Sequence, residues 1–375
     1  MKGFTEIFLS CTLGLSAIFA YTFMKKEKPL KEHRQEPTVM SGESEDPALS
    51  LNWGLEEVHA PAAWKHQKGS RNVIVAVIDT GCDIHHPDLK DNIWRNPGEG
   101  GLDRNGDPKS SNGIDDYGNG FVDDFHGWNF SGNNNDVTDE HGHGTHIAGI
   151  IGAEKLNGMS SGGVAPHVSL MILKYFDPEA TGPENLRHTI SAIHYAVKMG
   201  ADIINYSGGG MLRSHEEEEA LRWAAAQGVL VVAAAGNEGA NSDFMPFFPA
   251  DYDLPNILSV GAIDRDEHLM RISNYGIHSV ALAAPGKNIY STLPNGQYGF
   301  MTGTSQATAF ATGVAALLIA QDPQMRNPQA LIQHMIKYSS KRTALHGKLR
   351  SGGLLDAKLA LENDVTETLR AADNN

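Results

Sequence analysis

Residues Val73–Ile78 (Val-Ile-Val-Ala-Val-Ile) form an unbroken apolar run, the pattern of a strand covered on both faces. Comparable runs recur at Val168–Leu173, Ile203–Ile204, Val229–Ala234, Ile257–Val260 and Val280–Ala284. Between them the apolar residues take helical spacing over Asn185–Met199, and helices are predicted there, over Ser214–Gln227 and over the Ala- and Leu-rich Thr304–Gln321. Ser214 and Glu217 stand at the spacing of a capping box. The run Glu216–Glu219 reads as a solvated first turn favoured by the helix dipole. Thr304–Gln321 reads as a central buried helix. Strands alternating with helices predict an α/β fold with three layers, α/β/α, around a mostly parallel sheet of about seven strands.

The ends of the chain break this pattern. Phe8–Met24 is nearly all apolar or small, with Lys2 before it and Lys25, Lys26, Lys28 and Lys31 after it. It reads as a signal peptide with a weak Ala17–Ala20 cleavage region, or as an uncleaved membrane anchor. Membrane contact is therefore expected through residues 8–24, and the protein is expected to be secreted or membrane-anchored in the cell envelope. The trailing lysines favour retention of that side in the cytoplasm, which conflicts with clean export. The organisation expected is a signal or anchor at 1–24, a polar linker at 25–50, one main domain at 51–362 with an acidic insertion at 101–124, and a polar tail at 363–375. A net charge of −15 over 375 residues argues against nucleic acid as a partner, because phosphate binding needs a basic face. The two cysteines, Cys11 and Cys82, are not expected to pair, so the domain is stabilised without a disulfide.

Candidate chemistry lies at the strand exits and helix starts. Asp79 follows the first apolar run and precedes Thr80-Gly81; alone it reads equally well as a turn aspartate. His143 opens a helical pattern in Gly142-His143-Gly144-Thr145-His146, where small neighbours leave room around the ring. Ser305 begins the long apolar helix after Gly303-Thr304, and alone reads as a helix-cap serine. Asn237, in Ala235-Gly236-Asn237-Glu238-Gly239, follows another apolar run and can offer a side-chain N–H to a developing oxyanion. His141, His143 and His146 suggest zinc at first sight, but their spacing does not match the two-histidine zinc helix. A carboxylate, an imidazole and a hydroxyl in the order Asp, His, Ser suit acyl transfer through a triad.

With these residues in hand, the chain resembles a subtilisin-like serine peptidase, a subtilase, from Trp53-Gly-Leu to about Ala360. The resemblance rests on Asp79-Thr-Gly, His85-His-Pro-Asp88-Leu, His143-Gly-Thr-His146-Ile-Ala-Gly, Gly163-Val-Ala-Pro166, Asn205-Tyr-Ser207-Gly, Ala235-Gly-Asn237-Glu-Gly, Ser273-Asn-Tyr-Gly276, Ala284-Pro-Gly286 and Gly303-Thr-Ser305. It implies a serine endopeptidase on a subtilisin-like fold, acting as a monomer on polypeptide substrates with broad specificity. Asp79 would orient His143, His143 would act as general base and then acid, and Ser305 would attack the scissile carbonyl. Asn237 and the Ser305 N–H would form the oxyanion hole, and His146 matches a second, non-catalytic histidine. Ser207, Gly208, Gly209, Ala234 and Gly236 match the walls of the substrate pocket. Residues around Ala180–Pro183 resemble an edge strand that pairs with extended substrate.

The acidic insertion alternates carboxylate and amide oxygens with glycine turns, which suits calcium. Its candidate ligands are Asp103, Asn105, Asp107, Asp115, Asp116, Asn119, Asp123 and Asp124, and similar insertions in subtilases are taken to bind calcium. Asp88 is expected to contribute to a site near the mature N-terminus. Tyr117 stands where an aspartate is common. Three further departures matter. Ala309 occupies a place where the family usually has proline; relaxed crowding behind Ser305 would let an amine compete with water, giving a transpeptidase or ligase. Gly208 replaces a frequently larger wall residue. The stretch Asp243–Phe248 is rich in aromatics, so the side chain preferred before the scissile bond is left open. The remaining alternative is a catalytically silent binding protein on the same scaffold.

Overall fold

The computed structural model describes residues 51–154, 162–365 and 368–369. The expectations for residues 1–50 fall outside these; among the described residues no helix is long and apolar enough to cross a membrane. Two short helices, α1 (Trp53–Glu57) and α2 (Ala60–Ala63), lead into strand β1 (Gly69–Asp79). The chain then alternates: β2 (Gly127–Asn129), α3 (His143–Gly152), β3 (His167–Lys174), α4 (Gly182–Lys198), β4 (Ile203–Tyr206), α5 (His215–Ala226), β5 (Leu230–Ala234) and β6 (Ile257–Ile263). It closes with β7 (Leu282–Pro285), the hairpin β8 (Ile289–Leu293) and β9 (Gln297–Met301), α6 (Thr304–Gln321), α7 (Pro328–Lys337), β10 (Ser340–Lys341), β11 (Gly353–Leu354) and α8 (Ala357–Glu362).

The main sheet has nine strands in the order β10-β11-β7-β6-β5-β4-β1-β3-β2. Every pairing from β2 through to β11 is parallel, and only the two-residue β10 runs antiparallel, at the edge. The sheet therefore exceeds the expected seven strands by short edge pieces that carry no apolar run. Successive side chains of β1 point to opposite faces. Val75 and Val77 enter one core with α3 and α6, while Ala76 and Ile78 enter a second core with α4 and α5. Two-sided burial is why the strands read as continuous apolar runs rather than alternating ones. Each fully buried Ile or Leu, such as Ile78 or Leu170, contributes roughly 1.5–3 kcal/mol relative to exposure. Helix α6 is buried at every residue from Thr304 to Ile319, which explains why it lacks a polar face.

One local expectation is corrected. Ser214 caps α5, its Oγ accepting from Glu217 N at 3.2 Å, but Glu217 does not reach back. Its carboxylate is buried and accepts instead from the hydroxyls of Tyr206 and Tyr252, at 3.0 and 2.8 Å. Glu218 is also buried, held by Arg213 and Arg222. Half of the Glu216–Glu219 run is thus turned inward, because Tyr206, Tyr252 and Arg213 from outside the helix, with Arg222 one turn on, satisfy the charge. The reciprocal capping box lies at Thr181 and Glu184 of α4.

Candidate active site

Asp79 ends β1 at the C-terminal edge of the sheet, where open α/β sheets leave a crevice. His143 is the first residue of α3, behind Gly142 in the left-handed region at φ 98°. His143 Nδ1–H donates to Asp79 Oδ1 at 2.7 Å, and Thr80 N–H donates to the same oxygen at 2.8 Å. Glycine at 144 permits this approach: a Cβ there would lie 2.1 Å from the Gly81 carbonyl oxygen. The hydrogen bond sets the imidazole tautomer and leaves Nε2 as an acceptor. Burial pulls the His143 pKa down, but the Asp79 charge, their hydrogen bond and the Asp139 charge outweigh it, so the net shift is upward.

Asp139 was not singled out by the sequence. It is buried and clamps the start of α3 to the exit of β1. Thr80 Oγ1 and Gly142 N donate to its Oδ1 at 2.9 and 2.8 Å, and Thr145 N and Oγ1 donate to its Oδ2 at 2.9 and 2.7 Å. Between Asp136 and Glu140 it looks like one more acidic turn residue; only its depth distinguishes it. His146 is also buried, with Nε2 3.0 Å from the Ile289 carbonyl and 3.2 Å from that of Gly299. Burial, then the His143 charge, push it down to about 3, so it stays a neutral donor that ties α3 to the β8–β9 hairpin. Cys82 is buried and free, and burial pushes its thiol up, away from reactive thiolate.

Ser305 is the second residue of α6. Its N–H is among those a helix start leaves without an intrahelical partner. Its hydroxyl donates to the Ser207 carbonyl at 2.9 Å, and the Ser207 hydroxyl donates back to the Ser305 carbonyl at 3.2 Å. Behind them Asn205 Nδ2 donates to Ser207 Oγ at 2.9 Å, and Thr312 Oγ1 donates to Asn205 Oδ1 at 2.8 Å. This chain registers the exit of β4 against α6. Asn237 Oδ1 accepts from Thr304 N at 2.9 Å and from Thr304 Oγ1 at 3.2 Å. The amide is thereby oriented, and its Nδ2–H₂ has no protein acceptor among the described residues. Ala309 is fully buried in α6, one turn beyond Ser305.

Ser207, Gly208 and Gly209 follow β4, while Ala234 ends β5 and Gly236 lies just beyond it. These strands are neighbours, so the two predicted pocket walls lie side by side. A Cβ on Gly208 would sit 2.5 Å from the Tyr175 hydroxyl oxygen, so the tyrosine takes the space a larger wall residue would use. Residues around Ala180–Pro183 do not form a strand. Ala180 lies in a turn closed on the Asp177 carbonyl, Thr181 caps α4, and Gly182 and Pro183 are its first turn. The capping box and a proline at the helix start favour this local structure.

The predicted metal ligands are dispersed among protein donors. Asp103 Oδ1 accepts from Asn105 N at 2.8 Å and Asp107 N at 2.9 Å. Asp115 accepts from Gly118, Asn119 and Gly120 N–H groups, and Asp123 from Gly113 N. Asp116 accepts from Asn112 Nδ2. Asp124 is buried and takes Asn96 Nδ2, Asn119 Nδ2 and the Tyr195 hydroxyl. Asp88, buried elsewhere, takes the Tyr298 hydroxyl. Among the described residues the one compact trio of His, Cys, Asp or Glu ligand atoms is Asp264, Asp266 and His268, outside the insertion. One observation still points to a cation at the insertion. Glu99 is fully buried; its Oε1 accepts from Tyr117 N at 2.9 Å, but its Oε2 has no partner. Burial and the charges of Asp124, Asp116 and Asp115 raise its carboxyl. A buried carboxylate oxygen with no donor fits a cation.

The profile of the subtilase family matches residues 70–359. The chain is 39% identical over 267 residues to the major intracellular serine protease of Bacillus subtilis (strain 168), covering 71% of this chain and 74% of that one. It is 32% identical over 285 residues to thermitase of Thermoactinomyces vulgaris, covering 76% and 88%. A crystal structure of the epidermin leader peptide processing serine protease (EpiP) from Staphylococcus aureus shares the fold, with a TM-score of 0.68 at 24% identity over 85% of this chain and 82% of that one. A parallel α/β sheet with Asp79, His143 and Ser305 at its crevice, matched by these relatives along most of its length, places the chain in the subtilase family of serine peptidases.

Proposed function

We propose that the chain hydrolyses peptide bonds through an acyl-enzyme in which Ser305 is the nucleophile, His143 the general base and Asp79 its orienting partner. The 2.7 Å bond from His143 to Asp79 carries this reading, because it leaves Nε2 free to take a proton. The Ser305 hydroxyl must leave the Ser207 carbonyl and turn to Nε2; its proton then goes to His143 as Oγ bonds to the scissile carbon. The proton passes on to the leaving amine, and water ends the cycle by the same route. Asn237 Nδ2 and the Ser305 N–H receive the oxyanion. The glycines after β4 and β5 expose main chain along the crevice, which supports recognition of an extended polypeptide through its backbone. Labelling of Ser305 by a fluorophosphonate tests the reading; folded protein that does not label would instead be the silent binding protein.

Asn237→Ala is expected to lower kcat by roughly 10²–10³ with a small change in KM, the cost of losing one such donor in a subtilisin. Steady-state kinetics on a peptide anilide check this; an equal rise in KM at constant kcat would assign Asn237 to substrate binding alone.

Calcium is proposed as a structural ion at the insertion, with the unpartnered Glu99 Oε2 as one of its ligands. When bound it would neutralise crowded carboxylates and stabilise the native state. At about 100 times its Kd such an ion adds about 2.7 kcal/mol. Chelation is then expected to lower the thermal midpoint by roughly 4 °C. Glu99→Gln is expected to shrink that difference; a midpoint indifferent to chelator would remove calcium from the account.

A further inference from the structure

The crevice between the two pocket walls is already occupied by a side chain of this protein. Phe247 is 9% exposed, yet it belongs to neither hydrophobic core. Its ring packs against the bare backbone of both walls. A Cβ on Gly209 would lie 2.6 Å from Phe247 Cε1, and one on Gly236 would lie 2.9 Å from Phe247 Cγ. Both glycines have positive φ, 153° and 103°, so neither wall can recede behind a side chain of its own without strain.

The ring's backbone is anchored on both sides. Phe247 N–H donates to Asp251 Oδ2 at 2.6 Å, and its carbonyl accepts from Asp251 N at 3.0 Å. Phe248 exchanges two backbone hydrogen bonds with Gly210, at 2.7 and 2.8 Å, which seats the segment against the end of the first wall. The neighbouring space beside Gly208 is taken by Tyr175.

We propose that Phe247 is a specificity-determining residue that plugs the pocket for the substrate side chain preceding the scissile bond and restricts it to glycine, alanine or serine. The proposal rests on Ser305 being the nucleophile and on the segments after β4 and β5 being the pocket walls. A phenyl or isobutyl group cannot share this crevice with the ring, whereas a methyl group can lie on it. Discrimination by volume is steep in such pockets, about 10–200-fold for one methylene.

The test uses the full chain and two peptide p-nitroanilides that differ only in the last residue, alanine or phenylalanine. The wild type is expected to show kcat/KM at least about tenfold higher for alanine. Phe247→Gly is expected to move the ratio about 100-fold or more toward phenylalanine, and Phe247→Leu, which keeps most of the volume, by less. A wild type that prefers phenylalanine overturns the proposal without recourse to any variant. So do folded variants that react with fluorophosphonate yet keep the wild-type ratio. Protein that neither labels nor cleaves either substrate overturns the underlying reading of the site, and the plug with it.

Discussion

Replacing Ser305 with alanine is expected to abolish fluorophosphonate labelling and to lower peptide hydrolysis by roughly 10⁶-fold, the order lost with the nucleophile in a subtilisin. The fold should survive. The Ser305 hydroxyl makes one hydrogen bond, to the Ser207 carbonyl, whose loss costs about 1 kcal/mol. Alanine is also the better helix former at this position inside α6. A thermal midpoint within a few degrees of wild type, beside a lost activity, would separate chemistry from folding. His143→Ala should fall by a similar factor, and the double variant little further, because the two act as a unit. Retention of more than about one hundredth of the activity in Ser305→Ala would move the nucleophile elsewhere.

The second large effect is expected at Asp79, and it carries a sign as well as a size. Asp79→Asn is expected to cost roughly 10⁴-fold, since no charge then stabilises the imidazolium formed when Ser305 gives up its proton. The neutral form of His143 is the active base, so activity rises as pH climbs through its pKa. Burial lowers that pKa, and Asp79, by charge and hydrogen bond, raises it above the ordinary histidine value. With the charge removed, burial prevails. The acid limb of kcat/KM should therefore move to lower pH while the plateau drops. Profiles of both proteins check this; an acid limb that stays in place or moves upward would show that Asp79 does not set the state of His143. The Thr80 N–H can still donate to an amide oxygen at position 79, so the turn is expected to hold.

Much of this protein is legible in its sequence. The apolar runs at Val73–Ile78 and Val229–Ala234 became β1 and β5, because burial on both faces demands continuous hydrophobicity. Thr304–Gln321 became α6 with the same bounds. The β8–β9 hairpin left no such signal, since no residue of Gln297–Met301 is buried. The Ala180–Pro183 segment read as a strand by resemblance, whereas Thr181, Pro183 and Glu184 build a helix start. In the acidic insertion, composition suggested a cation, but not that Asp115 would be wrapped by backbone N–H groups or that Glu99 would be buried half-satisfied.

The sequence alone determined the layered α/β architecture and the order in which an aspartate, a histidine and a serine are delivered to strand exits and helix starts. These depend on hydrophobic periodicity and glycine placement, which act within a few residues of the chain. The tertiary structure decided the rest. It joined Asp79 to His143, which lie 64 residues apart. It turned the Asn237 amide by means of Thr304. It buried Asp139 beneath the start of α3 and set Phe247 between Gly209 and Gly236. Each of these outcomes depends on which strands are neighbours and how their exits diverge. That is a property of the assembled sheet, and no local pattern encodes it.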